Sequence, residues 1–96
     1  MEIKREERHH AGAFYIEDDG KRQGEMRYLV RGNVMNIYHT EVNPELGGHN
    51  WGFKLVEAGV KYARENGLKI LPTCTFAKSV FDRMPAFGDV LVEDYE

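Results

Sequence analysis

The sequence predicts an α+β fold: a mixed, mostly antiparallel sheet with one βαβ crossover and helices packed on it. Three features carry this expectation. Alternating runs separated by turn residues fill the first half of the chain. A long helical stripe follows the last of them, and a short apolar run follows the helix stop at Gly67. Strand, helix and strand in that order require a right-handed crossover and a parallel pair, whereas the upstream hairpins pair antiparallel.

The elements follow in chain order. Ile3 to Glu6 is a possible first strand, and Ala13 to Glu17 is a short β-rich run. Asp18-Asp19-Gly20 has the chemistry of a turn. Gln23 to Arg31 reads as a strand, with Met26, Tyr28 and Val30 on one face and Arg27, Leu29 and Arg31 on the other. Gly32-Asn33 suits a two-residue hairpin, and Val34 to Val42 is the next strand, ended by Asn43-Pro44. A helix is predicted from about Gly48 to Asn66, because Gly52, Leu55, Val56, Gly59, Tyr62 and Ala63 recur on one stripe. Asn66-Gly67 stops it, since Gly67 can take the left-handed conformation. Leu68 to Leu71 is a strand closed by Pro72. A second helix covers about Thr75 to Arg83, with Phe76, Val80 and Met84 as its buried face, Ala77 and Phe81 alongside, and Pro85 as its stop. Val90-Leu91-Val92 is either a short edge strand or a packed extension.

Length and charge bound the function. At 96 residues, 42% hydrophobic and 30% charged, the chain reads as one domain spanning 1–96. The net charge of −3, with scattered basic residues, argues against a nucleic-acid partner. The single cysteine, Cys74, excludes an internal disulfide and suits a reducing compartment. No apolar run approaches the roughly 18 residues of a membrane span, and no signal-peptide pattern opens the chain. The expectation is therefore a cytoplasmic protein with no membrane partner.

The segment from Thr40 to Val56 is the most informative. It reads as strand, glycine turn (Gly47-Gly48-His49-Asn50-Trp51-Gly52) and helix. Backbone N–H groups are left free where such a turn enters its helix, and the helix dipole adds partial positive charge there. That combination suits a phosphate or diphosphate. A Gly-Gly ahead of a helix also serves as a plain chain reversal.

With Tyr38 to Val56 and the later run from Leu71 to Lys78, the chain resembles the GNAT superfamily of N-acetyltransferases, in particular its minimal, YjdJ-like branch. His39-Thr40-Glu41-Val42 before the loop and Cys74 after the next strand match that branch. The resemblance covers about Phe14 to Phe87. In that family the pattern Arg or Gln, two residues, Gly, any residue, Gly or Ala opens the helix that holds the diphosphate of coenzyme A. Gly48 and Gly52 fit; Gly47 stands where Arg or Gln is expected, and Asn50 where Gly is expected. Asn tolerates a left-handed backbone, so Asn50 can keep the turn. The lost Arg weakens the anion site by ~1–3 kcal/mol.

The resemblance implies an acetyl-CoA-dependent N-acetyltransferase acting on a small-molecule or protein amine. Acetyl-CoA would be co-substrate, bound by Glu41, Val42, Gly47, Gly48, His49, Asn50, Trp51 and Gly52. Acetyl transfer needs a positioned amine, a polarised carbonyl and a proton for the leaving thiolate. Cys74, just past the parallel strand, is the leading catalytic candidate, as proton donor or nucleophile; free cysteine also serves as a small packing residue. His39 and Glu41 share a strand face and are the other two catalytic candidates, His39 because imidazole titrates near neutral pH. His49 can meet a phosphate, and Trp51 packs against the sheet in preference to stacking on adenine. Phe76 and Phe81 are expected in the core. His9-His10, adjacent in an extended segment, suit joint metal chelation poorly, so no metal is expected. The alternative is a non-catalytic CoA-binding or protein-interaction module with a degenerate diphosphate loop. Full-length family members carry extra helices that wall the acceptor site, where this chain has only the turn from Gly20 to Gly24. The acceptor site is then open, or completed by a second copy, in a monomer or weak homodimer.

Overall fold

The computed structural model describes residues 1–93. Five strands form one sheet in chain order: β1 (Glu2–Arg8), β2 (Ala11–Asp18), β3 (Lys21–Arg31), β4 (Val34–Val42) and β5 (Lys69–Pro72). The first four pair antiparallel and β4 pairs parallel with β5, so the mixed sheet is the one expected. Helix α1 (Trp51–Asn66) makes the crossover between β4 and β5, and α2 (Thr75–Arg83) follows β5. Leu91 adds a single parallel bridge to Ile70, with Val92 N–H bonded to Ile70 O at 3.0 Å, so the tail is a one-residue extension of the sheet.

The first hairpin exceeds the sequence reading. β1 runs to Arg8, and His9 and His10 are its turn, with φ of 55° and 68°. They are therefore not part of an extended segment. Such a turn needs two left-handed residues, a role usually marked by Asn or Gly. β1 shows no apolar alternation and only Ile3 is even partly buried. Its side chains instead pair across the sheet, Lys4 with Glu17 and Arg22 with Glu6. The next turn is Asp19-Gly20, and β3 begins directly at Lys21, so Lys21 to Gly24 belongs to the strand.

Both helices pack on one face of the sheet. Phe14, Ile16, Met26, Tyr28, Met35 and Ile37 project from it onto Leu55, Val56, Val60 and Ala63 of α1 and onto Ala77, Val80 and Phe81 of α2. Apolar burial of this kind contributes about 25 cal/mol per Å². Gly59 lets α1 approach closely: a β-carbon there would lie 3.0 Å from Met26 Cε. Gly12 does the same for β1 and Tyr28, whose hydroxyl donates to Glu7 and accepts from Arg5. The expected buried face of α2 needs correction. Ala77, Val80 and Phe81 are buried, whereas Phe76 is 37% exposed and Met84 lies beyond the helix. Phe81 is core and Phe76 is not.

Among the described residues the opposite face carries no helix. It is covered by charged side chains: Arg22 stacks on Tyr15 and pairs with Glu25, which also pairs with Arg27. The register decides which residues reach it. Arg27 faces His39 and Tyr28 faces Ile37, so Tyr38 is an extra residue in β4. This bulge reverses the alternation of the strand. Met35 and Ile37 are buried under the helices before it, and Thr40 and Val42 take that side after it.

Candidate functional site

β4 and β5 pair only as far as Ile37 and Pro72. The N–H groups of Thr73 and Cys74 both bond to Ile37 O, at 3.0 and 3.1 Å, and the chain then turns into α2. Among the described residues β4 continues to Val42 without a paired strand on that side. The phase of its peptide groups follows from its other edge. Asn43 N–H bonds to Gln23 O at 2.7 Å, and Glu41 O points at Gly24, so residues 41 and 43 address β3. Alternation then aims the N–H and C=O of Thr40 and Val42 into the gap between β4 and α2.

The loop leaving β4 is fixed at its root. Asn43 donates its side-chain amide to Gln23 at 2.7 Å and accepts from Glu45 N–H at 3.0 Å. A 3₁₀ turn, Pro44–Leu46, follows. Gly48 (φ 83°) and Asn50 (φ 58°, ψ 30°) are both left-handed, so Asn50 does hold the conformation that the turn requires. Asn50 makes no side-chain cap, and the first helical bond of α1 runs from Lys54 N–H to Asn50 O. Among the described residues the N–H groups from Gly48 to Phe53 have no protein acceptor. The amides that open the helix point along its axis, where the dipole is positive.

A groove of about 440 Å³ lies against these amides. Val42, Gly47, Gly48, Asn50, Trp51 and Gly52 all line it, as expected from the loop. Thr40, Phe76 and Arg83 line it too, and the sequence reading missed them. The signals existed: Thr40 alternates with His39 and Glu41, and Phe76 and Arg83 stand seven residues apart on one helix face. Trp51 packs partly into the core with Lys54 Nζ 4.3 Å from its ring, and neither it nor Asn50 fills the groove. Gly52 leaves room for the Phe76 ring: a β-carbon there would lie 2.7 Å from Phe76 Cζ.

Other candidates stand apart. His49 is exposed and does not border the groove. His39 and Glu41 lie on the helix-free face, joined by a 3.3 Å contact from Nε2 to Oε1, with side chains 47% and 74% exposed. Glu41 lines a separate depression with Arg22, Gln23 and Asn43, so neither its side chain nor its peptide addresses the groove. The bulge at Tyr38 is the reason. Cys74 caps α2: its Sγ accepts from Ala77 N–H at 3.3 Å and lies 3.3 Å from Thr40 Oγ1, where either atom can donate. Thr40 stands between Cys74 and the groove. Among the described residues no helix is long and apolar enough to cross a membrane.

Comparison with known proteins agrees with this fold. The family described as GCN5-related N-acetyl-transferase matches residues 13–90. The solution structure of a GCN5-like protein from Staphylococcus aureus is 37% identical, with a TM-score of 0.69 over 99% of this chain and 93% of its own. GCN5 from Tetrahymena, 13% identical, superposes with a TM-score of 0.67 over 93% of this chain and 64% of its own. An aminoglycoside N-acetyltransferase in complex with CoA, 18% identical, does so at 0.62 over 91% of this chain and 71% of its own. At such low identity these last two share the fold. No curated protein matches the sequence.

Proposed function

Because the chain belongs to the GCN5-related N-acetyltransferase family, we propose that it transfers the acetyl group of acetyl-CoA to an amine. One observation carries this reading: a groove opens where β4 parts from β5, and it ends on unpartnered amides at the start of α1. The diphosphate sits on the amides from Gly48 to Phe53. The pantetheine arm lies along the free peptide groups of Thr40 and Val42, much as an added strand would. Acetyl-CoA brings an activated acyl group, so the protein has only to position the amine and manage protons. Thr40 borders the groove and its hydroxyl lies in hydrogen-bond contact with the Cys74 thiol, so this pair protonates the departing thiolate. His39 and Glu41 serve an amine arriving from the helix-free face.

A second reading is a CoA-binding module without turnover. It is favoured by Gly47, which offers no cation, and by the Cys74 sulfur being engaged in a helix cap. Titration calorimetry with acetyl-CoA, followed by thiol release over a panel of amines, separates the two. Binding with turnover supports transfer, and binding without it supports the module. Absence of binding refutes both.

A further inference from the structure

We propose that Arg83 holds the diphosphate of the coenzyme, supplying from α2 the cation that position 47 lacks. This rests on the reading of the groove as a coenzyme A site. Arg83 is the one charged side chain among the described residues lining that groove. It also borders an adjoining depression of about 260 Å³ with Asn50, Phe53 and Met84. Asn50, Phe53 and Arg83 belong to both hollows, so Arg83 lies where the groove continues past the free amides. Among the described residues no carboxylate pairs with it. Its Nε donates to Ser79 O at 3.3 Å, and among the described residues the terminal nitrogens have no partner.

The alternatives are poorer. A β-carbon at Gly47 would lie 3.2 Å from Pro44 O, so a side chain there crowds the turn. Lys54 sits over the Trp51 ring and borders a different hollow on α1. A guanidinium can grip phosphate oxygens bidentately while amides hold the others, so Arg83 and the α1 amides close on the anion from two elements. The loop brings no charged side chain to the groove lining.

The test compares acetyl-CoA, its 3′-dephospho form and acetyl-pantetheine by calorimetry on the natural chain, Arg83→Gln and Arg83→Lys. Arg83 is exposed, so both substitutions are accommodated, and circular dichroism checks the fold. Arg83→Gln weakens acetyl-CoA and dephospho-acetyl-CoA alike, by about ten- to hundredfold, and leaves acetyl-pantetheine unchanged. Arg83→Lys keeps part of the affinity. Undiminished binding by Arg83→Gln overturns the proposal and leaves the coenzyme reading intact. A loss confined to acetyl-CoA moves Arg83 to the 3′-phosphate, and an equal loss for acetyl-pantetheine makes it structural; either result overturns the diphosphate role. A natural chain that binds none of the three removes this proposal and the transferase reading together.

Discussion

Replacing Asn50 by alanine tests the backbone that aims the amides. Asn50 has φ 58° and ψ 30° and makes no side-chain cap, so the substitution deletes no hydrogen bond. What changes is conformational cost. A left-handed residue with a β-carbon costs roughly 1–2 kcal/mol, and asparagine is among the few that relieve it. The expected penalty for Asn50→Ala is therefore about 1 kcal/mol. It can surface in two ways. If the turn holds, the folded state loses that amount. If the turn relaxes in the free protein, coenzyme must rebuild it, and affinity falls about fivefold. The two losses together come to about 1 kcal/mol. Asn50→Gly removes the strain but loosens the unfolded chain by ~0.5–1 kcal/mol, for a net change near zero. Urea unfolding and calorimetry with acetyl-CoA measure both parts. An alanine variant as stable and as tight as the natural chain would refute the dependence of the turn on a left-handed residue.

Gly12→Ala would place a β-carbon 2.4 Å from Glu6 O and 2.7 Å from the Tyr28 ring, so a loss of about 2–3 kcal/mol is expected in urea unfolding. Cys74→Ala removes the α2 cap at a cost of about 1 kcal/mol, whereas Cys74→Ser keeps it. If the thiol also serves transfer, both variants lose kcat/KM, and a fully active serine variant would confine Cys74 to capping. Burial pushes the Tyr28 phenol up to about 12, from 10.0. The fold thus favours the neutral phenol: its contribution is whole below about pH 10 and falls as pH rises towards 12. Urea midpoints measured across that window should decline, and more shallowly for Tyr28→Phe.

The sheet, its one parallel pair and both helices were legible because alternation and the helical stripe report burial directly. The loop was legible because Gly47 to Gly52 can serve few purposes ahead of a helix. β1 was largely hidden because its partners are charged side chains and a tyrosine hydroxyl, which leave no apolar period. The His9-His10 turn was hidden because two successive non-glycine residues at positive φ are uncommon, even though histidine is among the side chains that tolerate that region best. Phe76 was misread because helical spacing gives a face and says nothing of what covers it. The missing β-carbon of Gly52 makes room for that ring at the groove wall, where it stays 37% exposed.

The extra residue at Tyr38 has the largest consequence for the site. By spacing, His39 and Glu41 share a strand face, and the family resemblance adds Glu41 to the loop as a coenzyme contact. The bulge turns Thr40 and Val42 towards the groove and His39 and Glu41 away from it, so one strand end serves two surfaces. Coenzyme affinity and amine chemistry then separate. His39→Gln and Glu41→Gln should leave the Kd for acetyl-CoA within about twofold, a change under ~0.4 kcal/mol, since neither side chain lines the groove. The same variants should alter the pH profile of kcat/KM if the amine arrives on their side. Calorimetry and rate measurements on each variant supply both quantities. A weakened Kd with an unchanged pH profile would mean that the bulge does not divide the strand, and that coenzyme and amine meet on the helix side alone.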